Sequence, residues 1–415
     1  MILARFPLTL PAAIFFTNAL LYVTLFSRLP EVTAAQGMSA AVLGFALLAQ
    51  TCGALLGFPF AARAINRFGA RRVAGATLFL STLCLPAAAS GILAPGGWGM
   101  AIALCGYGFA MAIMEVAKNL VAARVEERSG KNVISKSHGF WSAGLFVGAL
   151  LGGRAASANL SATQELIFLG LVACPLVVFL LLRAGDREPM GPVEGAGPTG
   201  RFAKFRRPDA FVMGLLVLFA GFGVTEGVVY DWSMFYLKHD IDMDAIAAAR
   251  IYACFTVGMF TARMIGDTLR KHFATRVLIR GMAGVTLIGI TFATLGPRFD
   301  LGFAGLLVGF TLIGAGVALA APVAISLAMR HTTRPVAQTM ASYSLISMLA
   351  LFAIPPLLGM IVETHGAIWT ILFASPLLLF VAIFAKQIVK RMERATEVHA
   401  HGSSGCRSVR ASNRS

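Results

Sequence analysis

Charge is scarce in this chain. Only 13% of its 415 residues are Asp, Glu, Lys or Arg, whereas 57% are apolar. Soluble globular proteins are nearer a quarter charged, so the composition argues against a water-soluble fold. A nucleic-acid partner is equally disfavoured, although the net charge is +16, because a nucleic-acid-binding domain carries its positive charge on a polar surface.

Motifs for metals, disulfides and nucleotides are also missing. Five of the six cysteines lie in apolar stretches and none forms a CxxC pair, so neither a disulfide framework nor a zinc site is predicted. The chain has no HExxH motif and no Walker A segment. We therefore expect no enzyme, no ATP-driven pump and no cofactor. A receptor is disfavoured because the only long loop is too rich in Gly and Pro to fold alone.

Long apolar stretches are abundant instead. Since one bilayer crossing takes about 20 apolar residues, they predict an all-α polytopic membrane protein with twelve transmembrane helices. The first stretch lacks a small-residue cleavage site, which indicates a membrane helix rather than a cleaved signal. The predicted helices, numbered 1 to 12, cover residues 8–27, 40–61, 73–94, 98–121, 140–157, 164–182, 210–230, 248–266, 277–296, 301–328, 340–362 and 367–385.

The polar interruptions divide the chain into two halves. A linker rich in Gly and Pro, residues 184–208, separates an N-terminal six-helix half (1–183) from a C-terminal one (209–385). Residues 386–415 are predicted to be a basic cytoplasmic tail. A shift of 205 positions places Gly53 over Gly258 and Phe68 over Phe273. This weak repeat is what a parallel duplication of six helices predicts.

Basic residues are distributed unequally between the two predicted faces. The face that carries the chain ends has 29 of the 35 Lys and Arg residues, and the opposite face has five. Cytoplasmic loops carry the excess of Lys and Arg in membrane proteins. The count therefore predicts an inner-membrane protein with both termini in the cytoplasm.

The loop after predicted helix 2 resembles the signature of the major facilitator superfamily. It retains four residues of that pattern, Arg67, Gly69, Arg71 and Arg72. It departs from the pattern at Asn66, where the family has an acid. The resemblance implies that Arg67 and Arg71 act in gating, although these arginines could also serve only to set topology.

Three further segments, residues 26–32, 115–142 and 225–236, are similar to one bacterial subgroup of that superfamily, the fucose-permease-like and rhizopine-transport-like inner-membrane proteins. The resemblance implies a secondary transporter whose helices 1, 4, 7 and 10 line a central cavity. In the fucose permease an acid on helix 4 serves proton coupling and sugar binding, and Glu115 occupies the matching place.

Several ionisable and polar side chains lie in the predicted cavity helices. Glu115 and Asn119 share one face of helix 4 and could hold a hydroxylated solute. Lys118 leaves three roles open for this region. It could form a structural ion pair with Glu115, it could meet an anionic substrate, or Glu115 itself could bind substrate or protons.

Predicted helices 7 and 1 supply further candidates. Glu226 would face Glu115 across the cavity, or would be hydrogen-bonded to a neighbouring helix. Asn18 and Tyr22 lie one turn apart on helix 1 and could both face the cavity. Helix 1 has no acid before Glu31, whereas the fucose permease has one there, so an identical symport mechanism is not expected.

The predicted gate candidates lie at the outer ends of helices 1 and 7. Trp232 and Asp231 would belong either to the interfacial belt and helix end or to a periplasmic gate. Arg28 would extend to the interface, or pair with Asp231 or Glu31.

Glycine and proline spacing predicts how the helices pack. Glycines recur every four residues in helix 5 and helix 2, which permits close approach, either at the interface between the halves or in static packing. The glycines concerned are Gly144, Gly148 and Gly152, and Gly53 and Gly57. Pro355 and Pro356 predict a kink in helix 11.

The sequence therefore predicts a secondary active transporter that moves a small polar solute, sugar-like or polyol-like, by alternating access with protons as the coupling ion. Its expected partners are the solute, protons and the bilayer, and a monomer is expected. The alternative is a drug or metabolite efflux antiporter. The efflux alternative remains because the chain has 31 Phe but only 4 Trp and 6 Tyr. Trp and Tyr are the aromatic residues whose rings can hydrogen-bond a sugar.

Overall fold

The computed structural model describes residues 8–131, 133–182, 209–299, 301–331 and 336–392, which form helices joined by short turns. The N-terminal half contains α1 (Thr9–Phe26), α2 (Leu29–Ala35), α3 (Ala40–Phe68), α4 (Ala70–Ser90), α5 (Trp98–Ser129), α6 (Ile134–Ser157) and α7 (Ala162–Leu182). The C-terminal half contains α8 (Ala210–Phe235), α9 (Ala245–His272), α10 (Thr275–Leu295), α11 (Gly302–Val317), α12 (Ala320–His331), α13 (Val336–Leu351), α14 (Ile354–His365), α15 (Ile368–Phe373) and α16 (375–392).

Each of the twelve predicted helices has a counterpart among these elements. Eleven helical segments of the described chain are long and apolar enough to cross a membrane. The segment outside that set is α6, whose 24 residues include Lys136, His138 and Arg154. It packs between α1 of its own half and α9 of the other half. The predicted linker lies outside the described residues, and so does the tail beyond Met392.

Two faces of the bundle are used as references below. The terminus face is where α1 begins and α16 ends. The distal face is the opposite one, which carries the turns after α1, α4, α6, α8 and α10.

The C-terminal half contains breaks that the N-terminal half does not show among its described residues. The predicted kink in helix 11 is a complete interruption between α13 and α14, with Pro355 in the first turn of α14. A proline cannot donate the backbone hydrogen bond that would continue the helix. Helices 10 and 12 are also interrupted, at residues 318–319 and at Ala374.

Close helix approaches at glycines repeat between the halves. A side chain on Gly53 of α3 would collide with the carbonyl oxygen of Cys105 in α5, and one on Gly258 of α9 would collide with that of Thr311 in α11. Gly108 and Gly314 make the reciprocal approaches, to Gln50 and Phe255. Gln50 and Phe255 again differ by 205 positions. The weak repeat of the sequence therefore corresponds to equivalent helix contacts.

The other glycine contacts decide between the two roles that their spacing left open. Gly144 and Gly148 of α6 lie against α1, and Gly57 lies against α5, so these glycines pack helices within one half. The tight contacts between the halves are elsewhere. Gly44 of α3 meets Pro355, and Gly153 of α6 meets Ala249. Spacing alone could not distinguish them, because it does not say which neighbour a helix face meets.

Substitution of Gly258 by Ala should destabilise the protein, because the new methyl group has no space beside the Thr311 carbonyl. We expect a loss of about 1–3 kcal/mol, typical of overpacking, seen as a lower midpoint of thermal unfolding in detergent. Gly284→Ala is the matched control, because nothing lies within 4 Å of the added atom. Equal midpoints for the two variants would contradict the described contact.

Candidate functional site

A buried ammonium group lies at the centre of the N-terminal half. The Lys118 side chain of α5 is 3% exposed, and its Nζ lies 2.6 Å from Glu115 Oε2. The same Nζ donates to Asn18 Oδ1 of α1 at 3.4 Å. Asn18 and Lys118 are thus partners, although they are 100 positions apart in the chain.

Aromatic rings enclose the rest of this ammonium. Lys118 Nζ lies 4.1 Å from the centre of the Trp141 ring and 4.8 Å from that of Phe15. Both distances are within the range of cation–π attraction. The Glu115 side chain, in contrast, is 42% exposed. A solute in the space beside this pair can therefore reach the Glu115 carboxylate, whereas the ammonium is enclosed, which disfavours an anionic substrate on Lys118.

Asn119 holds the Glu115 carboxylate from one turn further along α5. Its Nδ2 donates to Glu115 Oε1 at 2.8 Å and also to the Glu115 carbonyl oxygen at 2.8 Å. Asn119 Oδ1 lies 3.2 Å from His138 Nε2 of α6. Glu115 and Asn119, which were predicted to share one face of the helix, are hydrogen-bonded to each other, and the amide joins the pair to α6.

The C-terminal half has its own acid with a cation beside it. Glu226 of α8 accepts a hydrogen bond from Tyr230 Oη at 3.0 Å, and its Oε1 lies 3.9 Å from Arg263 Nη2 of α9. Arg263 Nη1 also donates to Ser142 Oγ of α6 at 3.3 Å. Arg263 thus connects the two halves. The Glu226 side chain is 31% exposed. Its hydrogen-bond partner Tyr230 belongs to the same helix, so among the described residues the neighbouring helix contributes the Arg263 cation rather than the predicted hydrogen bond.

Tyrosines gather between the halves. The Tyr22 ring of α1 meets the Tyr230 ring edge to face at 5.8 Å, and Trp141 at 6.1 Å. Tyr22 also interacts electrostatically with Tyr107 and Tyr252. The hydroxyls of Tyr107 and Tyr252 are buried and have no hydrogen-bond partner among the described residues. Four of the six tyrosines of the chain are therefore concentrated here.

The distal face is closed by a cluster of ion pairs. Arg28 pairs with Glu31 at 2.6 Å and with Glu165 of α7 at 2.8 Å. It also donates to the carbonyl oxygen of Leu160 at 2.6 Å. Lys238, in the turn after α8, pairs with Glu31. Because Lys238 belongs to the C-terminal half, this cluster of Arg28, Glu31, Glu165 and Lys238, called the distal latch below, joins the halves.

The structure decides between the alternatives for two gate residues. Arg28 forms the predicted pair with Glu31 and is buried between Glu31 and Glu165, so it neither extends to the interface nor pairs with Asp231. Trp232 is fully buried and packs on Phe235 at 5.5 Å, so it does not belong to an interfacial belt. Its sequence position near a helix end could not reveal that α8 continues as a π-helical turn, Tyr236–Asp240, beyond it.

Arg67 and Arg71 lie at the terminus face, at the junction of α3 and α4. Arg67 lies over the ring of the adjacent Phe68 at 5.3 Å. Arg71 is in the first turn of α4. Neither is among the residues of the polar cluster between the halves, so a gating role for them stays a prediction.

Contacts on the distal side close the space between the halves there. The latch is reinforced by α3 and α14, where the Ala41 amide donates to Glu363 Oε2 at 3.0 Å. The carboxylates of Glu115 and Glu226 remain partly exposed in the interior. With the distal side closed, we expect the route to them to start at the terminus face.

Four residues of these clusters are absent from the sequence-based candidates: Arg263, Tyr230, Glu165 and Lys238. The count of 29 bases on the predicted cytoplasmic face includes Arg263, but Arg263 lies inside α9. Its signal was an arginine within an apolar stretch, which marks an interior site in a membrane helix. Glu165 and Lys238 gave no such signal, because both lie next to predicted loops.

Comparison with known sequences places this geometry in a family. Residues 12–331 match the family profile of the Major Facilitator Superfamily. An uncharacterised transporter, y4wD, of Sinorhizobium fredii is 30% identical over 358 residues, covering 85% of this chain and 90% of the relative. Membrane protein MosC of Rhizobium meliloti is 26% identical, with 89% and 87% covered.

Solved structures show the same fold at low sequence identity. The D-xylose-proton symporter superposes with a TM-score of 0.66 at 15% identity, over 92% of this chain and 97% of the other. The Escherichia coli fucose:proton symporter gives 0.57 at 16% identity, over 93% and 99%. The family resemblance of the sequence is thus confirmed. This chain belongs to the Major Facilitator Superfamily and is a multi-pass membrane transporter, not an enzyme.

Proposed function

We propose that this transporter moves a small polar solute, sugar-like or polyol-like, across the bacterial inner membrane by alternating access, with protons as the coupling ion. The observation that carries the proposal is the set of exposed polar groups drawn from both halves, Glu115 and Asn119 on one side and Glu226, Tyr230 and Arg263 on the other. Two solved symporters of this fold are named for sugars and protons.

The space between the halves, called the chamber below, contains Glu115, Asn119, Glu226, Tyr230 and Arg263. Its chemistry favours a hydroxylated solute. Carboxylate oxygens accept hydrogen bonds from hydroxyls, and tyrosine hydroxyls both donate and accept. Tyr22, Trp141 and Tyr230 present flat rings to the same space. The shortage of Tyr and Trp in the composition is thus offset by their concentration at one place, which weighs against an apolar drug chamber.

The charge distribution supports the orientation. The sequence count assigns 29 bases to the terminus face. Without Arg263, which lies inside α9, 28 remain, as expected for a cytoplasmic face. In that orientation this conformation is open to the cytoplasm and closed to the periplasm. We propose that one chain performs the cycle as a monomer, by rocking its two halves, residues 1–183 and 209–385, about the chamber.

Transport should depend on both carboxylates. In proteoliposomes with an imposed pH gradient, a panel of sugars, inositol-like polyols and toxic cations should contain at least one solute that the wild type accumulates. Glu226→Gln should lower its uptake about tenfold or more, because a hydrogen bond to a charged group contributes about 1.5–3 kcal/mol. Glu127→Gln, an exposed acid near the end of α5, is the matched control and should transport normally.

A double variant separates the two roles of Glu115. Glu115→Gln alone would leave the buried Lys118 charge without its acid, so misfolding could imitate a functional loss. Glu115→Gln with Lys118→Met removes both charges and should be produced normally. It should still fail to transport if Glu115 binds the solute. Normal uptake by this variant would make the pair purely structural, and a panel without any transported solute would contradict the proposed function.

Opening of the distal face should require rupture of the latch. Glu31→Gln removes the carboxylate that pairs with both Arg28 and Lys238, so the distal ends of the halves should separate more often. Spin labels can be attached at Ile92 and Phe299, exposed positions in distal turns of the two halves, in a variant without other cysteines. Double electron–electron resonance spectroscopy should then report a longer distance between the labels than in the wild type.

The control for the latch breaks an ion pair of the same kind within one half. Glu165→Gln removes a partner of Arg28 but leaves the contact between Glu31 and Lys238. Its label distances should stay close to those of the wild type. Unchanged distances in Glu31→Gln would show that the latch does not hold the distal face closed.

A further inference from the structure

One carboxylate between the halves has no counter-charge. Asp231 of α8 is half-buried, and within the described chain its side chain makes no hydrogen bond and no ion pair. The other acids of this region are compensated, Glu115 by Lys118, Glu226 by Arg263, and Glu31 and Glu165 by the bases of the latch. Among these five acids, Asp231 is therefore the one whose negative charge is not balanced by a base.

The groups that face Asp231 are tyrosines. Its carboxylate interacts electrostatically with Tyr22 of α1 and Tyr252 of α9. The Tyr252 hydroxyl is buried without a partner, as is Nε1 of the adjacent Trp232. Lys238, two turns further along the chain, is occupied by Glu31. No base contacts Asp231 among the described residues, so a charged carboxylate here has only dipoles to stabilise it.

We propose that Asp231 is the proton-binding group of the transport cycle, an inference that rests on the proposed function. One carboxylate oxygen takes a proton from the aqueous side to which the chamber is open, and an O–H bond forms. The resulting carboxyl group is neutral and needs no counter-charge. The proton is released by the reverse step when the other face opens.

The paired acids are poorer candidates for this role. Protonation of Glu115 would leave the Lys118 ammonium among Phe15, Trp141 and Asn18, with no anion beside it. Protonation of Glu226 would likewise remove the anion next to Arg263. Asp231 is the acid of this chamber whose neutralisation leaves no cation unpaired in the described structure.

A proton fits the site better than a metal cation. Hard metal cations take about six or more oxygen ligands. Asp231 provides two carboxylate oxygens, and the groups that interact electrostatically with it, Tyr22 and Tyr252, offer one hydroxyl each. A proton needs only one carboxylate oxygen.

Infrared difference spectroscopy of the purified protein in liposomes tests this assignment without any solute. Spectra in acidic and alkaline buffer should differ by the carbonyl stretch of carboxyl groups that gain a proton. Subtraction of the Asp231→Asn difference spectrum from that of the wild type should leave one band of a carboxyl group shielded from water. Asp231→Glu should restore a band, and Tyr252→Phe should shift it.

The controls distinguish Asp231 from other acids and from misfolding. Asp242→Asn alters an exposed acid in the turn before α9, where the positive φ of 60° suits Asn, and it should retain the shielded band. Glu226→Gln should also retain it. A shielded band that persists in Asp231→Asn, or is lost in Glu226→Gln, would overturn the proposal, as would a wild-type spectrum with no such band. This result is independent of whether any solute is transported.

Discussion

The ammonium of Lys118 is the constraint on which the rest of the chamber depends. A charged side chain in a membrane interior costs about 2.5–3.5 kcal/mol on insertion scales. Here the charge is compensated by the Glu115 carboxylate, by Asn18 and by the rings of Phe15 and Trp141. These partners come from α1, α5 and α6, so the compensation of one charge positions three helices of the N-terminal half around the polar space.

Contacts between the halves are of two kinds, and they lie at different depths. In the interior, Arg263 links Glu226 of its own half to Ser142 of the other half. Arg263 and Glu226 are partly exposed, so a solute can reach them, whereas Ser142 is buried. On the distal side, Lys238 and Glu31 join the halves through the latch. Alternating access then follows if a solute bound in the interior changes the relative stability of the Arg263 contacts and the latch.

The sequence predicted the helices well, because long apolar stretches and their polar interruptions are local properties. It also indicated an ion pair of Glu115 with Lys118, as one of three open roles, and placed Asn119 on the same face, because these residues lie one turn apart on one helix. It could not predict partners distant in the chain, such as Arg28 with Glu165 or Arg263 with Ser142. For the same reason it left open whether the glycines of α6 pack within one half and whether Trp232 lies in the interfacial belt.

Fluorescence of Trp141 tests the central claim, that the solute binds between the halves beside the Glu115 and Lys118 pair. In a variant with Phe in place of Trp98, Trp232 and Trp369, the emission comes only from Trp141, whose ring lies 4.1 Å from the Lys118 ammonium. Titration with D-xylose, fucose and inositol should change this emission saturably for the solute that is transported. Transport of a solute that leaves Trp141 emission unchanged at saturating concentration would contradict the account.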